Sequence, residues 1–257
     1  MKTNQHKLVL GLALLGAAFT MRLPAAMLSG NLTTGPNYGV DLTSLGTTDW
    51  ALWGYAGGGT STSLTPDVRM AGGSAISDLA YFDPNSQPLR GIGQFNVNFQ
   101  FSWNNGDTVG SDFGAWSGLQ AATDNGPGLG VGQGFSFTVP ATTIAQHLNV
   151  FVGVHAGTGQ LTASLSDSSA PAYIDSAIPF GDNSPGVYAI DFAAASPGQT
   201  LTVSWLEIAG LDINDNPAIY AATLSSVPEP GQWAMMGLTL VGVAGYGYRR
   251  FRANRAA

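Results

Sequence analysis

The chain has 257 residues, a net charge of -7, no cysteine and charged residues at only 10% of positions, against a usual share of about a quarter. Disulfides and thiolate metal sites are therefore excluded. Seven of the nine basic residues sit at the two ends, leaving Arg69 and Arg90 against fourteen aspartates and one glutamate between residues 31 and 226; so acidic a middle repels phosphate backbones and argues against nucleic-acid binding.

The chain opens with Lys2 and Lys7, followed by an uninterrupted apolar stretch from Leu8 to Phe19 and a region of small residues. That order is the pattern of a secretory signal peptide, whose apolar core is too short to span a bilayer. Gly16 with Ala18, and the LPAAM stretch around Ala26, offer two cleavage sites. We assign residues 1–26 to the signal peptide and residues 31–226 to an exported ectodomain.

Within the ectodomain, residues 31–90 are irregular and read as edge strands and long loops. The stretch TTDWALWGYAGG sets Trp50 and Trp53 beside Asp- and Gly-rich turns, and Trp116 has similar surroundings. Exposed aromatic faces are platforms for sugar rings, so these three are the candidate glycan contacts; burial in a core is the alternative use of the same residues. Next comes QFNVNFQFSW, which places Phe95, Val97, Phe99, Phe101 and Trp103 on one face of a strand. The same period of two recurs at 134–139, 147–155, 159–167, 186–193, 199–208 and 218–226, with Gly/Pro/Asx turns between the runs. No stretch of helical period interrupts them. The pattern predicts an all-β ectodomain, an antiparallel β-sandwich of jelly-roll kind. Segments such as TTDWALWGYAGG and SDSSAPAY also resemble a β-sandwich module of bacterial surface proteins, which implies glycan binding or adhesion.

Catalytic chemistry finds little support in these residues. Sugar hydrolysis needs two carboxylates flanking the scissile bond, but Glu207 is the only glutamate of the ectodomain and has no second acid at nearby spacing, while the aspartates fall in turns. There is no G-x-S-x-G nucleophile elbow. His147 and His155 bracket one predicted strand about 26 Å apart and cannot share a metal or a nucleophile. The GPGLGVGQG run leads into a strand instead of a helix, so it is not a phosphate loop. In DINDNP, Asp212, Asn214 and Asn216 alternate like the first half of a calcium loop, yet Pro217 and Thr223 stand where an EF-hand needs Gly and Glu. A structural calcium in the sandwich loops and plain Asx turns both account for these residues. No catalytic residue and no other cofactor is assigned, and the protein reads as a non-enzyme.

The C-terminus is unlike the rest. Val227, Pro228, Glu229 and Pro230 precede sixteen uncharged residues from Trp233 to Tyr248, and Arg249, Arg250, Arg252 and Arg255 follow. As a helix, residues 233–248 would rise roughly 24 Å, a short membrane span with interfacial aromatics at both ends and a positive cytoplasmic flank. Motif, span and basic tail in this order over residues 227–255 resemble the PEP-CTERM sorting signal of Gram-negative bacteria. The resemblance implies a single transmembrane helix and an exosortase-type membrane peptidase that recognises Pro228-Glu229-Pro230 after the export machinery has moved the ectodomain outward. The mature protein would then reach the envelope surface or an exopolysaccharide matrix. The expected function is that of an exported surface or matrix protein, structural or adhesive in an exopolysaccharide or biofilm setting. A carbohydrate-binding module is the first alternative, and an Asp-based polysaccharide hydrolase or lyase the second.

Overall fold

Alternating apolar and polar residues become strands close to where the alternation places them. A computed structural model describes residues 25–34, 39–57, 59–93, 99–121, 130–176, 184–210 and 214–227. Its elements in chain order are β1 (Met27–Thr34), β2 (Val40–Asp41), the single turn α1 (Leu42–Leu45), β3 (Asp49–Leu52), β4 (Val68–Arg69), β5 (Ala80–Phe82), β6 (Leu89–Ile92), β7 (Phe101–Trp103) and β8 (Asp112–Ala115). There follow β9 (Gly118–Ala121), β10 (Gly134–Ala141), β11 (Gln146–His155), β12 (Gly157–Leu165), β13 (Tyr173–Asp175), β14 (Ser184–Ala193), β15 (Gln199–Gly210) and β16 (Asn216–Ser226). The described part of the chain is thus nearly all β.

Two antiparallel sheets pack face to face. One runs β1-β14-β11-β16, with β3 and β4 continuing beyond one half of β16 and β9 and β6 beyond the other; the second runs β13-β12-β15-β10-β5. From β9 onward the chain changes sheets at every connection except the β12–β13 hairpin. The core between the sheets takes alternate residues from each: Phe135, Phe137 and Val139 of β10, Leu201, Val203 and Trp205 of β15, Leu148, Val150 and Val152 of β11, and Tyr188, Ile190 and Phe192 of β14.

A third layer covers the outer face of the larger sheet. It consists of α1 and a small sheet, β2-β7-β8, in which β2 and β7 are parallel. Leu42, Phe99, Phe101 and Trp103 of this layer close on Trp50, Leu52, Phe151 and Tyr220 of the sheet beneath to form a second core. The irregular region before residue 90 is therefore more than edge strands and loops. Asp49, itself buried, holds part of it down by accepting the Trp50 and Ile76 amides, each at 2.9 Å.

Both candidate tryptophans of the first region are core residues. Trp50 lies fully buried in the outer core, with its ring centroid 5.8 Å from that of Trp103 and its indole N–H donating to Asn105 Oδ1 at 3.0 Å. Trp53 lies fully buried in the inner core, 5.9 Å from Phe137. The expectation that either contacts glycan is corrected. Successive strand residues face opposite ways, and here both faces are covered, so a tryptophan next to a polar turn still points into a core.

Among the described residues no helix is long and apolar enough to cross a membrane. The expected membrane helix at 233–248, Pro228, Glu229 and Pro230, the arginine cluster and residues 1–24 of the signal peptide lie outside the described residues. Val227 is within them, and its amide donates to the Ala145 carbonyl at 2.9 Å.

Truncating either core tryptophan, Trp50→Ala or Trp53→Ala, should cost about 3–5 kcal/mol of folding stability, as large-to-small aromatic changes do. Equilibrium denaturation should show a much smaller loss for Trp116→Ala, whose side chain is only half-buried.

Candidate functional site

After β3 the chain must turn away from the larger sheet, and Gly54 makes the turn in the left-handed region at φ 80°. Asp67 fixes it, its carboxylate accepting the Gly54 amide at 2.7 Å and the Tyr55 amide at 3.1 Å. Tyr55 consequently stands on the rim of the outer core, its ring edge-on to Trp103 at 5.4 Å and 88°. Trp103 is itself anchored by its indole N–H, which donates to the Val109 carbonyl at 2.7 Å. Three aromatic rings, Trp50, Trp103 and Tyr55, thus pass from the buried core to the surface.

At the surface Tyr55 meets β8. Its hydroxyl donates to Asp112 Oδ2 at 2.6 Å, while Asp112 Oδ1 accepts the Phe113 amide. Burial, then the hydrogen bond to Asp112, then the charge of that carboxylate push the Tyr55 phenol up to about 12. Tyr55, Asp112, Trp116, Thr60 and the glycines Gly59, Gly93 and Gly114 line an open hollow of about 270 Å³. That is just under the roughly 300–1000 Å³ of sites that enclose a whole drug-sized ligand. Phe113, 83% exposed, stands alongside on the same strand.

A larger hollow of about 440 Å³ lies where the third layer meets β11 and β14, lined by Val40, Asp41, Leu45, Asn149, Phe151 and Val187. Two of its polar side chains, Asp41 and Asn149, are already committed. Asp41 caps α1 by accepting the Thr43 and Ser44 amides at 3.0 and 3.3 Å. Asn149 Oδ1 lies 3.1 Å from His147 Nε2, and Asn149 Nδ2 donates to Thr223 Oγ1 at 3.2 Å. The smaller hollow is the better candidate because its carboxylate and phenol share an aromatic wall.

Of the three candidate glycan residues, only Trp116 reaches a surface hollow. Among the candidate calcium residues, Asp212 lies outside the described residues, Asn214 is exposed and Asn216 is buried. The Asn216 side-chain Nδ2 donates to the Asn214 backbone carbonyl at 2.6 Å, which is the local turn chemistry of such residues. His147 and His155 do bracket β11, and His147 Nδ1 lies 2.7 Å from Asp191 Oδ1. Among the described residues no group of three or more His, Asp and Glu side chains is gathered to hold a metal. Sequence reasoning missed Asp112, which stands among turn aspartates. It meets Tyr55 only because β8 pairs with β7 beside the turn after β3.

No family model matches the chain, and no curated protein matches it. Among solved structures it is similar to a cyclase from Fischerella sp. TAU, in complex with 4-(1H-indol-3-yl)butan-2-one, with TM-score 0.38 and 10% identity over 74% of this chain and 99% of that one. It is similar too to the enzymatically active domain of tailspike protein 4 of bacteriophage CBA120, with TM-score 0.35 and 13% identity over 60% of this chain, although the match spans only 20% of the tailspike chain. A third is the carbohydrate-binding module TmCBM61 in complex with beta-1,4-galactotriose, with TM-score 0.34 and 12% identity over 59% of this chain and 90% of that one. At these scores the likeness carries no inference about what this chain binds.

A raised phenol pKa lends stability while the phenol stays protonated in both states, below about pH 10, and that stability is lost as pH rises through the folded value near 12. The difference in phenolate absorbance between wild type and Tyr55→Phe should therefore titrate near pH 12. In Asp112→Asn it should move down toward the ordinary tyrosine value of about 10.

Proposed function

We propose that the protein is an exported adhesive component of a surface or extracellular matrix, and that it holds polysaccharide in the Tyr55–Asp112–Trp116 hollow. A sugar ring has a rim of hydroxyls and an apolar C–H face. Recognition asks for an aromatic wall beside fixed acceptors and donors, with an open trough through which a chain can continue. Trp116, half-buried at the edge of an open hollow beside the Tyr55–Asp112 hydrogen bond, is the observation that carries this reading. The hollow's size suits one ring of a polymer better than an enclosed small ligand. Its described lining contributes a single carboxylate, Asp112, already held by Tyr55, whereas hydrolysis draws on two. The reading is accordingly of binding without turnover. The strand order from β9 to β16, four strands in each sheet with the chain passing between them, supports reading the domain as a jelly roll.

The route to the outside is read from the two ends. Residues 1–26 direct export, and residues 227–255 serve as a PEP-CTERM signal, with an exosortase-type peptidase as the processing partner. Val227 is anchored to Ala145 just past the last strand, and Pro228-Glu229-Pro230 follows it directly in the sequence. Proline fixes its own φ and biases its predecessor away from helix, which favours the extended form that a peptidase subsite grips.

On a polysaccharide array, Trp116→Ala should lose at least tenfold in affinity for any glycan that retains the wild type, with little change in melting temperature. Retention of both proteins alike would rule the hollow out. Replacing Pro228, Glu229 and Pro230 with alanine should leave full-length protein in the inner membrane, seen as intact mass. Maturation equal to wild type would remove the peptidase from the account.

A further inference from the structure

A strand at the rim of a sheet turns the N–H and C=O groups of every second residue away from the sheet. Folded proteins guard such rims with short strands, charges, prolines or bulges. Most rims of this protein are guarded by shortness: among the described residues the outermost strands β2, β4, β5, β6, β8 and β13 span only two to four residues each. β1 is the exception. It is eight residues long, MLSGNLTT, with neither charge nor proline. It pairs with β14 without a bulge, from Met27 opposite Ala193 to Thr34 opposite Gly186. On its other side its backbone bonds to no described residue.

The inner core is also incompletely closed at this rim. Leu28 and Leu32 pack against it from β1 yet stay only half-buried, and between them Tyr173 of β13 lies over Gly30. A Cβ at Gly30 would collide with the Tyr173 ring, so the glycine is what lets the ring sit there. Leu28, Tyr173 and Leu32 thus form an apolar stripe along the rim, part of it open to solvent. The carboxylates beside it are engaged. Asp191, opposite Ser29 on β14, lies 2.7 Å from His147 Nδ1, and Asp175 accepts the Tyr173 hydroxyl at 2.9 Å. Fourteen aspartates and one glutamate against two arginines make two copies of the ectodomain repel over most of their surface. An uncharged rim is where they can approach.

We propose that β1 pairs antiparallel with β1 of a second copy of this chain, joining the two larger sheets into one across a two-fold axis. Two conditions fix the register. Outward-pointing backbone groups must meet outward-pointing ones, and core-facing side chains must stay on the core side. Both properties repeat every second residue, so the axis passes through a residue and not between two. The greatest overlap of the two strands leaves Gly30 or Asn31 as that residue. Centred on Gly30, Leu28 of one copy lies opposite Leu32 of the other, and the two apolar stripes become continuous. Centred on Asn31, Leu28 would face Thr34 and Leu32 would face Gly30. Apolar contact selects Gly30, which sets Ser29 of one copy opposite Asn31 of the other on the opposite face of the sheet. The pairing does not depend on the glycan reading.

The chain has no cysteine, so an introduced one reports on its own contacts alone. Directly opposite residues bring their Cβ atoms to about 5 Å, near enough for a disulfide, whereas diagonal neighbours stay about 7–8 Å apart. Full-length Ser29→Cys and Asn31→Cys proteins, mixed in detergent and mildly oxidised, should therefore link at least about tenfold more than either protein oxidised alone. Sedimentation of the full-length wild type in detergent should show a dimer. Ser29→Lys combined with Asn31→Lys sets two pairs of like charges directly opposite and should weaken that dimer roughly tenfold, while Ser29→Lys combined with Asn31→Glu should retain it. Both positions are exposed, so melting should change little in either variant. A monomeric wild type would overturn the proposal, and β1 amides protected from hydrogen exchange in that monomer would show that another stretch of the same chain covers the rim. A dimer indifferent to the two lysines would overturn it as well, as would equal linking in the mixed and single-variant samples.

Discussion

The centre of the larger sheet is buried on both faces, and the rest of the molecule is arranged around that condition. β16 shows it most clearly: from Asn216 to Leu224 every residue is enclosed. Ile219, Ala222 and Leu224 point into the inner core, while Ala218, Tyr220 and Ala221 point into the outer one. Strict alternation would not allow this sequence of faces. A bulge resolves it, because Ala221 pairs with Phe151 and Ile219 with Val152, leaving Tyr220 as the extra residue. The bulge turns Tyr220 outward against Phe99 at 5.4 Å, and its backbone carbonyl accepts the Trp53 amide at 3.0 Å. Space for the phenol comes from Gly118 and Gly153, where a Cβ would collide with the Tyr220 side chain. Complete burial drives the Tyr220 phenol well above its ordinary pKa.

The candidate glycan hollow follows from this packing. Trp53 is tied to Tyr220, the chain turns at Gly54, and Tyr55 emerges two residues later on the rim of the outer core. The third layer then brings Asp112 across to it. Tyr55 is held by the Trp103 ring behind it and by the two backbone bonds from its own turn to Asp67. A phenol and carboxylate fixed in this way lose little freedom on meeting a ligand.

The scarcity of charge shapes how the carboxylates are used. Asp41, Asp49, Asp67, Asp107 and Asp167 each accept backbone amides and act as local fasteners. Hydrogen bonds from Ser169 and nearby amides hold the Asp167 carboxyl below its usual range. Asp112 departs from this pattern by taking a phenol as partner. Glu207 and Asp215 are carboxylates enclosed among glycines, and Asp215 too accepts a backbone amide, that of Gly130.

Local pattern alone was enough for the strands from β10 to β16 other than the short β13, which follows directly on a run read as a turn. Each has one face against the inner core over much of its length, so the alternation at 134–139, 147–155 and 199–208 marked them, with ends that shift by a residue or two because backbone ladders continue past the last alternating side chain. Alternation likewise set Trp103 on the apolar face of its strand, and the run before Gly134 was legible as the approach to a strand. Alternation marked β7 of the third layer, but the sequence could not contain how that layer packs, because its short strands, β2, β7 and β8, gain their burial from contacts with residues far along the chain. That layer decided that Trp50 is core, and together with the inner core it left Trp116 at a surface hollow. Separation also hid the pairings that matter chemically: Tyr55 and Asp112 are 57 positions apart, and Gly130 and Asp215 are 85. Periodicity reports which way a side chain faces from its own strand, whereas the identity of what it faces is fixed only when distant segments pack together.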